Sequence, residues 1–181
     1  MKSEAVSDEA AEVYQAAARE VWHADRCSGP LRLTVTSDSM RPLLRVGDVV
    51  VVQPADPHIL QPGVVVVVQR GSQWTTHRLV AVDGHGLHTH GDNTRFADEP
   101  VSTDQLVGRV IAIERTDEII DLQQPRWQVI DRRINRVQRL QLRVLAAART
   151  PGGTRSTGLT RGLAALINWP FQLLVRMLLR Y

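Results

Sequence analysis

The chain has 181 residues, which suffices for one well-packed domain with extensions and falls short of two full domains. An apolar share of 43% and a charged share of 23% suit a globular protein and argue against a disordered or membrane-spanning class. The net charge of +3 conceals an uneven distribution, because residues 1–125 sum to −7 and residues 126–181 sum to +10. A basic C-terminal quarter on an acidic body indicates a polyanionic partner for that quarter.

The first 28 residues predict a single helix ahead of the main domain. Apolar residues recur at helical spacing over 8–24, Ser7 suits the N-cap, and the S-G-P run at 28–30 ends the pattern. Neither an apolar leader nor an apolar run of about 20 residues occurs, so we expect no signal peptide and no conventional transmembrane helix. The one cysteine, Cys27, cannot form an internal disulfide. These features together predict a cytoplasmic protein.

Residues 29–124 predict a β domain. Six short runs rich in Val, Ile and Thr are separated by turns that contain Gly, Pro and Asp. The predicted strands are Leu31–Thr36, Asp48–Gln53, Val64–Arg70, Thr75–Val82, Leu87–His90 and Leu106–Ile113. The five consecutive valines at 64–68 indicate a strand that is buried on both faces. Short strands without intervening helices favour a compact β barrel or sandwich.

The C-terminal residues predict two helices joined by a linker. Over 125–150 an apolar stripe with helical spacing runs between arginines, which predicts a basic amphipathic helix. Residues 151–181 begin with a linker rich in Gly and Thr, and Leu163–Tyr181 returns to an amphipathic helical pattern. Two interpretations stay open for this pattern. Residues 126–181 could bind an anionic membrane surface from the cytoplasmic side, or the last helix could pack on the rest of the protein.

Three runs in the β domain supply a hydroxyl, an imidazole and carboxylates, in that order. The run T-S-D-S-M-R-P-L occupies 36–43, T-H-R-L-V occupies 76–80, and H-G-D-N-T occupies 90–94, with a further aspartate at 98. A serine hydroxyl becomes a nucleophile only when a base takes its proton, and that base needs an orienting partner. Each run alone is equally typical of turn or strand residues that hydrogen-bond their neighbours. Their combination favours acyl-transfer chemistry.

The ordered set of motifs resembles the type I signal peptidases. It comprises S-x-S-M-x-P-x-L at 37–44, G-D-x-V-x-V at 47–52, H-R-x-V at 77–80, G-D-N at 91–93 and V-G-x-V at 107–110. The resemblance covers about residues 31–113 and is closest to the branch found in the endoplasmic reticulum, archaea and some bacteria. The self-cleaving repressor proteases share the same fold. It implies a mainly β fold, with a signal-peptidase-like β barrel or β-ribbon catalytic domain between terminal helices.

The resemblance also implies an activity. Ser39 would attack the scissile carbonyl of a precursor peptide or protein, and the enzyme would pass through an acyl-enzyme without a cofactor or metal. The Ser37 hydroxyl would join the backbone N–H of Ser39 in the oxyanion hole, where donors stabilise developing negative charge. The implied class is therefore a serine endopeptidase that acts on polypeptides.

The base and its partner are assigned by position in the motifs. His77 stands where most bacterial members carry a lysine, and the one lysine of this chain, Lys2, lies far outside the motif region. Histidine is the side chain whose ordinary pKa lies nearest neutral pH, which suits a general base. Two aspartates compete to orient this base. We expect Asp98 to do so and Asp92 to be a structural partner of Arg78.

Three alternatives stay open beside the peptidase. His88, His90 and Asp92 alternate along one predicted strand, so a metal-binding β domain is one of them, although no fourth ligand is indicated. A self-cleaving transcriptional regulator is another, but it would usually have a helix-turn-helix and a lysine base. The third is a non-catalytic member of the fold. Nucleic acid is not the expected partner, although the arginines could contact a phosphate backbone.

Overall fold

The computed structural model describes residues 29–94, 98–116 and 118–147, with side chains up to residue 143. The helix predicted at 8–24, Cys27 and the predicted linker and helix of 151–181 lie outside the described residues. Within the described part, no helix has both the length and the apolar content that crossing a bilayer requires.

The strands of the described residues pair into one antiparallel sheet. They are β1 (Leu31–Thr34), β2 (Val49–Gln53), β3 (Val65–Arg70), β4 (Gln73–Asp83), β5 (Gly86–His90), β6 (Leu106–Arg115) and β7 (Glu118–Asp121). The pairing order is β1-β2-β6-β3-β4-β5, and β7 pairs with β6. A 3₁₀ turn at Thr103–Gln105 leads into β6. The prediction of a mainly β fold is confirmed.

The valine-rich β3 separates two apolar clusters. Val66 and Val68 pack in the smaller cluster with Leu79 of β4, whereas Val65 and Val67 pack in the larger one. Val65–Val68 are all buried, as the unbroken apolar run predicted for a strand covered on both faces, whereas Val64 lies just before β3 and is half-buried. Because β4 pairs with β3 residue by residue, successive β4 side chains also face opposite clusters.

The register of β4 directs two polar side chains to opposite sides of the sheet. His77 lies opposite Val66, and Arg78 lies opposite Val65. Cross-strand partners in an antiparallel pair share a face. His77 therefore lies on the side of the smaller cluster, and Arg78 lies on the other side.

In the described part of the chain, one α-helix, α1 (Pro125–Ala147), follows the sheet. Proline suits the first helical position because its missing N–H would have no helical partner there. On its buried side Trp127 joins the larger cluster and Ile134 is fully buried, followed by the polar residues Asn135, Gln138 and Gln141. The arginines of α1 are exposed, namely Arg126, Arg132, Arg133, Arg136, Arg139 and Arg143. The helix thus places its arginines in solvent and its amides inside.

Candidate active site

Ser39 lies in a turn that the larger apolar cluster holds in place. The chain leaves β1 and turns through residues 38–44, where the Leu44 N–H donates to the Met40 carbonyl at 3.0 Å. Met40, Leu43 and Leu44 are almost fully buried and belong to this cluster. Their burial fixes the backbone on the C-terminal side of Ser39, whose side chain stays partly exposed. The M-x-P-x-L pattern of the sequence therefore positions the serine hydroxyl.

Ser39, His77 and Asp98 form a continuous line of hydrogen bonds. The His77 Nε2 atom is 3.0 Å from Ser39 Oγ, and its Nδ1 atom is 2.5 Å from Asp98 Oδ2. An ionised carboxylate can only accept, so Nδ1 must carry the hydrogen and Nε2 must be the acceptor for the serine O–H. The arrangement leaves the serine hydroxyl hydrogen-bonded to a base that is 7% exposed.

Backbone pairing places Asp98 at the end of this line. The Asp98 N–H donates to the Thr89 carbonyl at 3.2 Å, and Leu87 and Val101 exchange two backbone hydrogen bonds. Burial alone would raise the pKa of Asp98, but hydrogen bonds from His77 and Thr89 and the charge of Arg70 together lower it. Asp98 is thereby kept ionised beside the imidazole.

The turn that follows β5 contacts the turn that carries Ser39. The Asn93 N–H donates to the Ser39 carbonyl at 2.7 Å, and Asn93 Nδ2 donates to the Asp38 carbonyl at 3.1 Å. Ser37 Oγ lies 3.3 Å from Ser39 Oγ, so a second hydroxyl lies beside the nucleophile candidate. The G-D-N motif thus contributes backbone and amide contacts that fix the serine.

Gly91 sits where any larger residue would disturb the same contacts. A Cβ atom on Gly91 would lie 2.8 Å from the Ser39 carbonyl oxygen and 2.9 Å from His77 Nε2. It would also lie 2.7 Å from Cγ2 of Thr94. Such distances are too short for carbon, so the close approach of the two turns requires glycine here.

Arg78 organises a buried network on the opposite face of β4. Its Nε and Nη2 atoms donate to the two carboxylate oxygens of Asp92 at 2.8 and 2.7 Å. Its Nη1 atom donates at 2.6 Å both to the Gly63 carbonyl and to Asp131 on α1. Gln138 of α1 donates to Asp92 at 2.8 Å. The strand that carries His77 is therefore joined to α1 by charge and hydrogen bonds.

The charges of this network are unequal, because one guanidinium faces two carboxylates. Burial would lower the pKa of Arg78, but Asp92 and Asp131 raise it. Burial raises the pKa of Asp131; the attraction of Arg78 opposes that effect without offsetting it, and Asp92 adds repulsion. Arg78 is thus fully charged, and Asp131 binds its proton more tightly than an exposed aspartate does.

Comparison with known proteins adds one finding. A family model described as Peptidase S24-like matches residues 5–111, which is more than half of the chain. The chain belongs to the Peptidase S24-like family. The match spans the serine turn, β4 and Asp98, and it supports the resemblance to peptidases of the S24/S26 type. No curated protein matches the chain.

The residue pairs of this S24-like domain distinguish the two aspartates. His77 contacts Asp98, whereas both carboxylate oxygens of Asp92 accept hydrogen bonds from Arg78. This is the arrangement that the sequence analysis preferred. It argues against Asp92 as the orienting carboxylate, because its two oxygens are held by Arg78 on the other side of β4.

The residues of the metal alternative have other partners in this S24-like domain. His88 Nε2 lies 2.9 Å from Asp83, and His90 Nδ1 lies 3.0 Å from Thr94 Oγ1. Asp92 is bound by Arg78. Among the described residues, no three His, Cys, Asp or Glu side chains are grouped as a metal site would need. Strand alternation put these residues on one face, but each meets a different neighbour.

Sequence reasoning missed four residues of these networks: Arg70, Thr89, Asp131 and Gln138. Asp131 did carry a signal, since it is the one acidic residue among the 11 arginines of residues 126–181. An isolated acid on a basic helix is a candidate partner for a buried cation. The other three carry no motif, and only the strand register and helix packing reveal them.

Proposed function

We propose that the protein is a serine endopeptidase of the signal-peptidase-like kind, with Ser39 as nucleophile and His77 as base. The observation that carries this proposal is the line of hydrogen bonds from Ser39 Oγ through His77 to Asp98. A serine, a base within hydrogen-bonding distance and a carboxylate that orients the base together form the arrangement used for acyl transfer. Membership of a peptidase family supports the same reaction class.

The proposed reaction proceeds in two acyl-transfer steps. Ser39 Oγ attacks the carbonyl carbon of the scissile peptide while its proton moves to His77 Nε2. The backbone N–H of Ser39 and the Ser37 hydroxyl stabilise the negative oxygen of the tetrahedral intermediate. When the C–N bond breaks, His77 returns the proton to the leaving amine and an ester to Ser39 forms. Water then attacks this ester by the reverse proton path and releases the new carboxylate.

The identity of the base favours cleavage of a substrate in trans over self-cleavage. The described region contains no lysine, and a hydrogen-bonded histidine occupies the position of the base. One measurement distinguishes cleavage in trans from self-cleavage, namely the intact mass of the purified full-length chain during storage. A self-cleaving protein shortens with a rate that does not depend on its concentration, whereas a peptidase acting in trans stays at full length.

The experiment for the proposed function profiles cleavage without assuming a substrate. Purified full-length protein is incubated with a diverse peptide library, and new termini are identified by mass spectrometry. Ser39→Ala, treated identically, is the control for contaminating proteases. We expect a consistent set of new termini with the wild-type protein and none with the variant. The same new termini in both samples, or none with either, would contradict a peptidase and favour a non-catalytic member of the fold.

We further propose that the basic helix brings this peptidase to an anionic membrane surface on the cytoplasmic side. Four exposed arginines, Arg132, Arg136, Arg139 and Arg143, recur every three or four residues and so form one stripe, called here the arginine stripe. Beside it Leu140 is 62% exposed and Val129 is 42% exposed. Arginines next to exposed apolar side chains suit the headgroup region of a bilayer better than a phosphate backbone alone.

A further inference from the structure

Two polar residues outside the motifs, Arg70 and Thr89, lie on the same face of the sheet as His77. On β3, Arg70 follows Val66 and Val68 at every second position, and Val66 lies opposite His77. On β5, Thr89 lies opposite Leu79, which is two residues beyond His77 on β4. Arg70, His77 and Thr89 therefore converge on one side of three neighbouring strands.

Hydrogen bonds run from Arg70 through Thr89 to Asp98. Arg70 Nη2 donates to Thr89 Oγ1 at 3.0 Å, and Thr89 Oγ1 donates to Asp98 Oδ2 at 2.6 Å. A threonine hydroxyl has one hydrogen to donate, and Arg70 can only donate. The guanidinium therefore occupies a lone pair of Thr89 and leaves its hydrogen for the carboxylate. Asp98 Oδ2 accepts this hydrogen bond and that of His77 Nδ1 at the same atom.

The burial of Thr89 determines where its hydroxyl can point. Thr89 is 1% exposed, so its hydroxyl has no access to water and must point at a protein acceptor. Arg70 Nε is buried and has no hydrogen-bond partner among the described residues. The Arg70 side chain is 25% exposed, so its contact with Thr89 lies near the protein surface.

We propose that Arg70 and Thr89 are positioning residues that hold the Asp98 carboxylate in line with His77 Nδ1. The proposal rests on the proposed function, because it takes Asp98 as the residue that orients the base. Thr89 fixes the direction of Oδ2, and Arg70 fixes the direction of the Thr89 hydroxyl. Without them the carboxylate could rotate about its last bond, and His77 would lose its preference for the hydrogen on Nδ1.

Arg70 has a second effect through its charge. Its Nη2 atom is 3.6 Å from Asp98 Oδ2, so it partly neutralises the carboxylate that stabilises the imidazolium formed during the reaction. Within the described residues, the charged or titratable groups that act on Asp98 are His77 of β4 and Arg70 of β3. Arg78 and its carboxylates lie on the other face of β4. Removing the charge of Arg70 should therefore strengthen the attraction between Asp98 and the imidazolium that forms during the reaction.

The first test removes the Thr89 hydroxyl. Thr89→Val keeps the side-chain shape, and we expect kcat/KM on a peptide cut by the wild-type protein to fall about tenfold or more. Thr89→Ser keeps the hydroxyl and should retain most of the activity. Thr76→Val, which removes a hydroxyl from the opposite face of β4, is the matched control. Equal kcat/KM in Thr89→Val, Thr89→Ser and the wild-type protein would overturn the positioning role of Thr89.

The second test uses the pH profile of kcat/KM. In the pH profile of Arg70→Gln, the limb on which kcat/KM falls toward low pH should move to higher pH by about half a unit. The shift is this small because solvent screens a partly exposed charge. Arg70→Lys, which keeps a charge and a donor, should bring the limb back toward the wild-type position. Arg115→Gln loses a comparable partly buried arginine, which pairs with Asp48, and should leave the limb unchanged. An unmoved limb in Arg70→Gln, or an equal shift in Arg115→Gln, would overturn the role of Arg70.

A third measurement separates this proposal from the proposed function, because it needs no cleavage. The ¹⁵N chemical shifts of the His77 ring report which nitrogen carries the hydrogen, with His77→Gln serving to assign the signals. We expect a hydrogen on Nδ1 in the wild-type protein and a mixture of tautomers in Thr89→Val. If the wild-type protein cuts no peptide while this change occurs, the proposed function fails and the positioning role stands. An identical tautomer in folded Thr89→Val would overturn the positioning role.

Discussion

Ser39 and His77 act as one unit in the proposed mechanism, so removing either should cost as much as removing both. Ser39→Ala and His77→Ala are each expected to lower kcat/KM by at least about 10³-fold, leaving only the contribution of substrate binding and oxyanion stabilisation. Circular dichroism should show an unchanged fold. His58→Ala removes an exposed histidine and should keep wild-type activity. A His77→Ala variant that cuts at the wild-type rate would contradict the histidine base.

Gly91 allows a test of the approach between the two turns that flank Ser39. In Gly91→Ala the new methyl group would push against the Ser39 carbonyl and His77 Nε2. A displacement of about 1 Å at the reacting groups typically costs about 100-fold, and we expect a loss of kcat/KM of this order. Gly84→Ala is the matched control, because a Cβ there meets nothing within 4 Å. Equal activity of the two variants would show that this approach is unimportant.

The residues of the candidate site were predictable to different extents. Ser39 and His77 each lie in a short run whose order along the chain carries the resemblance, so sequence alone made them candidates, and the structure places them within hydrogen-bonding distance. The choice between Asp92 and Asp98 depends on how residues 98–101 pair with β5, which no local pattern encodes. Thr89 reads as an ordinary strand residue until the register is known. Motifs therefore predict the candidate reacting groups, and register determines their partners.

At the scale of elements, the strands were predicted well and one was missed. Each predicted strand end lies within two residues of the observed one, because turn residues mark the strand boundaries. β7 was missed because Glu118–Asp121 is short, with only two apolar residues. Its residues pair antiparallel with the end of β6, from Arg115 opposite Glu118 to Ala112 opposite Asp121. Tertiary pairing, not propensity, makes this strand.

Helix α1 is joined to the sheet through Asp131, and this contact should have its own pH dependence. Burial raises the pKa of Asp131 above the value of about 3.9 expected for the unfolded chain. Over the intervening pH range the folded protein holds a proton that the unfolded chain has released. The stabilisation from this proton is complete below about pH 4 and is lost as the pH rises through the raised pKa.

Asp131→Asn removes this titration while keeping an oxygen that can accept from Arg78. The free energy of unfolding of the wild-type protein minus that of the variant should therefore decrease as the pH rises above about 4. Urea unfolding of the full-length chain over a series of pH values measures this difference. Asp104→Asn, in an exposed turn, is the control and should give a much flatter difference. A difference for Asp131→Asn that grows with pH would contradict the raised pKa.

At the scale of the whole molecule, charge and packing are arranged around α1. The helix has a single acid, and that acid is turned inward onto Arg78, so the outward arginines have no acidic partner on their own element. The same contact joins α1 to β4, the strand of His77. Any surface that binds the arginine stripe would therefore be held at a fixed position relative to the candidate active site. The sequence predicted the basic helix, but not that its one acid would fix it to the sheet.

The arginine stripe makes the proposed membrane contact testable on the full-length protein. Each arginine near an anionic bilayer contributes about 1 kcal/mol, so Arg136→Gln with Arg143→Gln should weaken binding by roughly 30-fold. Co-sedimentation with vesicles containing 30% phosphatidylserine, against pure phosphatidylcholine, measures it at about 0.15 M salt, where exposed charges still act at short range. Arg32→Gln with Arg45→Gln removes the same charge from the sheet side of the protein and is the matched control. Equal losses of vesicle binding in the two double variants would show that net charge, and not the arginine stripe, determines binding. Binding to duplex DNA in place of vesicles would contradict the membrane proposal.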